Sequence, residues 1–189
     1  MAKELKQLAD ALKRHKQGSI VMMELPADAY FESNIESVKL LTGKGLGGVY
    51  ISFQRPYKNI SSSLKQRGIN LNNLIFIDAA TAVGGEVQES DGRCVHISPD
   101  IDIDELVRAI YTSLPKLKSK KKFVFIDSLT TIALYKPLSE ILRFSEFLIR
   151  MVKNQEIENV IFNVAKDLAQ KKFIRDIAVH ADEVIIISK

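Results

Sequence analysis

The sequence predicts an α/β fold, with a mostly parallel central sheet and helices on both of its faces. Two observations carry this expectation. Six short runs along the chain are rich in β-branched and aromatic residues and almost continuously apolar. A strand with one wet face would alternate, so these runs are covered on both sides. Between them lie stretches whose apolar residues recur at three- and four-residue spacing, the period of a helix. Strand and helix in alternation read as βαβ units.

The elements follow in order. Glu4 to Lys13 places Leu5, Leu8 and Leu12 on one helical face, and Gly18 ends that helix after a basic last turn. The first apolar run is Ser19–Met23, closed by Glu24-Leu25-Pro26. Gly48–Phe53, Leu74–Asp78, Lys122–Asp127, Asn159–Val164 and Glu183–Ser188 follow. The clearest helix is Leu138–Val152, with Pro137 at its start, where proline is tolerated. Asp104–Leu117 is a second, introduced by acidic residues. Thr81–Pro99 departs from the rhythm. It reads as a loop, serving as a lid or a partner loop, with a short extra strand at Cys94–Ile97.

At 189 residues the chain fits one domain, for which about 100–200 residues is usual. Residues 1–189 therefore read as a single α/β domain, with 1–18 forming an amino-terminal helix on or beside the core. Hydrophobic residues at 46% and charged residues at 26% match a folded protein rather than a disordered one. No apolar run approaches the roughly 20 residues of a membrane span, so no membrane partner is expected. A single cysteine, Cys94, rules out an internal disulfide and a cysteine-based zinc site. The amino terminus lacks the apolar stretch of a signal peptide, and the expected compartment is the cytoplasm. A net charge of +4 permits an anionic partner without demanding one.

Ligands of open α/β sheets bind beyond the carboxyl ends of the strands, so those ends matter most. Phe123-Val124-Phe125-Ile126-Asp127-Ser128 resembles the Walker B strand of RecA-type ATPases, whose aspartate helps organise Mg²⁺. Gly48-Val49-Tyr50-Ile51-Ser52-Phe53-Gln54-Arg55-Pro56 is similar to the GVYISFEEP strand of the KaiC-like and RadA-like branch of that superfamily. Leu64–Asn70 and Leu74–Ala79 resemble the helix end and strand that come next. The likeness runs from about Ser19 to Ser188 in the family's strand order. It implies a RecA-like P-loop NTPase core.

The departures from the family pattern bear on function. In the family the first strand feeds a phosphate loop of the form G-x-x-x-x-G-K-S/T, whose backbone and lysine hold phosphates. Here the corresponding positions are Glu24, Pro26, Ala29, Tyr30 and Phe31. The proline matches, whereas the glycines, the lysine and the hydroxyl residue are gone, and Glu24 and Asp28 bring negative charge. A unit charge pair at 4 Å is worth about 4 kcal/mol at an effective dielectric of 20, so losing the lysine is costly. The paired glutamates that activate water in the family correspond to Gln54 and Arg55. Neither is a general base, a role worth about 10²–10⁴ in rate. The expectation is a pseudo-ATPase with no catalytic residue and no cofactor, ATP and Mg²⁺ being disfavoured. It would act as a regulatory or scaffolding protein through a protein partner or self-association.

Other features have structural explanations. The glycine-rich Thr42–Gly48 stretch follows a helix and leads into a strand, the reverse of a phosphate loop. Asp127 and Asp78 end strands, where aspartates commonly cap turns. His15, His96 and His180 show no ligand spacing, and no metal site is expected. Cys94 reads as a small buried hydrophobe. Tyr30 and Phe31 carry two readings, filling of the space left by the phosphate loop or an exposed aromatic patch that recruits a partner. Two rival functions stand. In one, Lys166 or Lys44 rescues phosphate binding and ATP is bound. In the other, the lysines from Lys116 to Lys122 bind nucleic acid, although without interleaved aromatics they fit a solvated loop better.

Overall fold

Seven parallel strands form one sheet in the order β4-β3-β2-β5-β6-β1-β7. They are β1 (Ser19–Leu25), β2 (Gly47–Ser52), β3 (Leu74–Asp78), β4 (Cys94–His96), β5 (Lys122–Asp127), β6 (Asn159–Ala165) and β7 (Glu183–Ile186). The helices are α1 (Ala2–Arg14), α2 (Tyr30–Gly43), α3 (Tyr57–Gln66), α4 (Ile103–Ser113), α5 (Leu129–Ile132), α6 (Leu138–Lys153) and α7 (Lys172–Ala178). This computed structural model describes residues 2–14, 18–80, 92–98, 100–169 and 171–187. His15, Ser188 and most of the Thr81–Pro99 segment, including its reading as a lid or partner loop, lie outside the described residues.

Side chains on successive strand positions point to opposite faces, and the sheet buries both. Val21, Met23, Tyr50, Phe76, Phe123, Phe125 and Ile161 pack under α1, α2 and α3. Their neighbours Met22, Val49, Ile77, Val124, Ile126 and Phe162 pack under α4, α6 and α7. Within α1, Leu8 and Ala11 are fully buried, so the amino-terminal helix is part of the core.

Local chemistry explains where elements stop. Gly18 has φ +109°, and a Cβ there would lie 2.5 Å from the Glu158 carbonyl oxygen. Asp102 caps α4 by accepting the Asp104 N–H at 2.7 Å. That helix ends at Ser113 rather than continuing to Leu117, and Leu114–Lys116 tightens into a 3₁₀ turn. Pro115, which has no N–H to give, lies in that turn.

The last apolar run differs from expectation. Among the described residues β7 is an edge strand that pairs with β1 alone, and its Val184 and Ile186 are 43% and 50% exposed. Only its other face, carrying Ile185, reaches the core.

Strand order also positions the site. From β2 the chain passes through α3 to β3 over one face; from β5 it passes through α6 to β6 over the other. The connections therefore diverge between β2 and β5, and the carboxyl ends of those two strands are where open α/β sheets place their ligand crevice.

Candidate functional site

Four apolar strands carry a polar residue at or near their carboxyl ends, on the same face. Phe76, Tyr50, Phe125 and Ile161 point toward α1–α3, and two positions later so do Asp78, Ser52, Asp127 and Asn163. Ser52 is in register with Asp78 on one side and Asp127 on the other. The four side chains form a buried polar row across the divergence between β2 and β5.

Asp127 is the centre of this row. Tyr50 Oη donates to its Oδ2 at 2.6 Å, while Oδ1 has no hydrogen-bond partner. Burial pushes the carboxyl pKa up and outweighs the lowering by the tyrosine hydrogen bond. Burial likewise raises Tyr30 and Tyr50 well above the usual phenol range, with the Asp127 charge as the next cause. Both phenols are therefore neutral. Tyr50 is held by its stack on Phe125, with ring centroids 5.0 Å apart.

The turn between β1 and α2 lies above this row. The Ala29 N–H donates to the Pro26 carbonyl at 3.1 Å, closing Pro26–Ala29 into a tight turn. Tyr30, the first residue of α2, is only 9% exposed and turns its hydroxyl toward Asp127, Ser128 and Asn34. That hydroxyl makes no well-formed hydrogen bond. One turn along α2, Asn34 accepts from Asn163 Nδ2 at 2.8 Å, and this pair ties the helix to the end of β6. Asn34 Nδ2 and Asn163 Oδ1 are also without partners.

The positions beyond β2 close on neighbouring elements. Gln54 Nε2 donates to Thr131 Oγ1 at 2.6 Å. The Arg55 guanidinium lies 4.2 Å from the centroid of the half-buried Phe31 ring. Ser128 caps α5 by accepting the Thr131 N–H at 3.1 Å. Thr130 Oγ1 accepts the Ala165 N–H at 3.2 Å, joining the ends of β5 and β6.

The structure thus brings together Tyr30, Phe31, Asp127 and Ser128. Glu24, half-buried, ends the polar part of β1, and Pro26 opens the turn. Tyr30 is no exposed aromatic anchor, because its side chain is buried; Phe31 is covered by Arg55. Lys166 is exposed in the 3₁₀ turn after β6, at the same end of the sheet. Lys44 is at the opposite end, at the carboxyl end of α2, where its Nζ donates to the Ala9 carbonyl. Lys116, Lys118, Lys120 and Lys121 are exposed before β5. A surface cavity of about 300 Å³ lined by Lys39, Thr42, Gly68 and Asn70 is also at the amino ends of the strands, away from Asp127.

Asn34, Tyr50 and Asn163 are participants that the sequence reading did not single out. The available signal was parity: an apolar run that ends in a polar residue on its aromatic face.

Chemically, the cluster offers one carboxylate held in low dielectric, two neutral phenols and two amides. Its groups bond mainly to one another.

No protein-family model matches the sequence, and a search of curated proteins finds no match. Solved structures do resemble it. An uncharacterized protein, PH0321 from Pyrococcus horikoshii, solved in complex with an unknown peptide, superposes with a TM-score of 0.69 at 13% identity. The match covers 96% of this chain and 82% of that one. The KaiC-like protein PH0186 from Pyrococcus horikoshii OT3 superposes with a TM-score of 0.59 at 16% identity, over 89% of this chain and 70% of that one. At such identities the likeness is one of fold. The chain carries the parallel α/β fold of KaiC-like, RecA-type structures.

Proposed function

We propose that this protein is a non-catalytic KaiC-like domain, a pseudo-ATPase that acts through protein contacts as a regulatory or scaffolding subunit. The observation that carries the reading is Tyr30. It stands where the resemblance places the phosphate-loop lysine, and its buried ring occupies the space over Asp127. A phosphate group brought there would meet a neutral phenol and a carboxylate instead of a cation.

The surrounding residues support the same reading. Pro26 has no N–H, and the Ala29 N–H is used within the turn, so the backbone is poorly arranged to cradle an anion. Gln54 and Arg55 replace the water-activating glutamates and are engaged with Thr131 and Phe31. Gln54, Arg55 and the Ala29 N–H thus each have a partner inside the protein. At the same end of the sheet, Leu134, Tyr135 and Leu138 are 75%, 48% and 49% exposed around the α5–α6 connection. Exposed apolar residues grouped in one place suit a partner surface. PH0321 was solved with an unknown peptide, and a similar use of the fold here agrees with this role.

Phosphate release from Mg²⁺-ATP tests the catalytic half of the proposal. The expected rate equals the buffer background. Multiple turnovers per chain that vanish in Asp127→Asn would contradict it. For the contact half, sedimentation and affinity capture should reveal self-association or a stoichiometric partner. A strictly monomeric protein that captures none is the damaging result.

A further inference from the structure

We propose that Asp78, Cys94 and His96 form a binding site for a zinc-type divalent cation at the carboxyl ends of β3 and β4. One carboxylate oxygen, the thiol sulfur and one imidazole nitrogen all lie within 4.8 Å of one another. Strand geometry produces this meeting. Cys94 and His96 are two residues apart on β4 and so share a face, and Asp78 is in register with His96 across the β3–β4 pair. Fifteen residues lie between Asp78 and Cys94 in sequence, and the β3–β4 pairing brings them together.

His96 supplies the second observation. Both of its ring nitrogens are buried, and neither has a hydrogen-bond partner. Asp78 Oδ2 is 3.9 Å from Nδ1, too far for a hydrogen bond. A buried imidazole ordinarily satisfies at least one nitrogen. A cation bound between the two side chains would satisfy one nitrogen of His96 and pair with the Asp78 carboxylate.

Asp78 is already oriented for that task. The Tyr57 N–H donates to Oδ2 at 2.7 Å, and the Ala80 N–H to Oδ1 at 3.0 Å. A carboxylate oxygen carries two lone pairs, so accepting one N–H does not by itself block ligation. Backbone donors behind a ligand fix its direction, as the outer shell of a metal site does.

The donor set chooses the metal. A thiolate favours zinc-like ions over magnesium or calcium, and imidazole suits the same ions. Thiolate and carboxylate together carry the two negative charges that neutralise a divalent ion. Ligands at zinc distances on tetrahedral corners are about 3.5 Å apart, so small side-chain rotations from the present separations close the site. Three protein ligands leave a fourth position for water or a partner's ligand. The ion would also pin β4, a three-residue strand that among the described residues pairs with β3 alone, to the sheet.

The test uses the full chain, purified free of metal and titrated with Co²⁺ as an optical probe, then with competing Zn²⁺. One equivalent is expected, with a thiolate-to-cobalt charge-transfer band that Zn²⁺ abolishes. Cys94→Ser should lose the band, and His96→Gln should weaken Zn²⁺ binding by about tenfold or more. Wild-type protein that binds Co²⁺ without the charge-transfer band, or binds no equivalent at all, overturns the site whether or not either variant folds. Binding unchanged in a folded Cys94→Ser variant overturns it too.

Discussion

Tyr30 and Asp127 are the residues on which the functional reading rests, and each can be tested alone. If Tyr30 fills the core above β5, Tyr30→Ala should cost about 3 kcal/mol, as expected for removing a buried aromatic ring. Tyr30→Phe should stay within about 1 kcal/mol of wild type, because the lost hydroxyl has no well-formed partner. Urea unfolding measures both; an Ala variant as stable as wild type would mean the ring is not buried. Asp127 makes a pH prediction. Its folded pKa is raised, so between the unfolded value, about 4, and the folded one the native state binds more protons than the unfolded state. Stability from this group is thus highest at acid pH and falls as pH rises through that window. Asp127→Asn removes the fall. It should be more stable than wild type at neutral pH by on the order of 1 kcal/mol and similar below the window. An Asn variant less stable at neutral pH would show that the charge is well paired in the native protein.

At the scale of elements, the five inner strands were legible because each is covered on both faces and reads as a nearly unbroken apolar run. β4 was visible only as a short apolar piece, since three half-buried residues at an edge carry little pattern. The end of α4 was missed because helical periodicity continued through Leu114 and Leu117, although the chain had already tightened around Pro115. The polar row at the strand ends was partly legible. Asp78 and Asp127 stood out as charged residues after apolar runs, whereas Ser52 and Asn163 are ordinary until register aligns them. Asn34 joins Asn163 from 129 residues away, and no local pattern announces such a pair. Gly48 shows how strongly neighbouring strands constrain each other. A Cβ there would come within 2.1 Å of the Phe123 ring on β5. Gly48→Ala should therefore destabilise the protein by about 1–3 kcal/mol. Phe123→Leu in the same chain should recover part of the loss, and absence of any loss would contradict the close approach.

For the whole molecule, the fold and the site give different kinds of information. The divergence of chain connections between β2 and β5 marks the position of the crevice in which open α/β sheets bind ligands. Here that crevice is closed by Tyr30 above Asp127, by the Asn34–Asn163 pair and by Arg55 against Phe31. Apolar side chains around Leu134–Leu138 and the open edge at β7 remain at the surface. The most direct test is calorimetric titration of the purified chain with Mg²⁺-ATP at low and physiological salt. The account predicts no binding heat up to millimolar nucleotide at either salt concentration. Micromolar, saturable binding would contradict it and would mean that Tyr30 moves aside or that Lys166 recognises the phosphates.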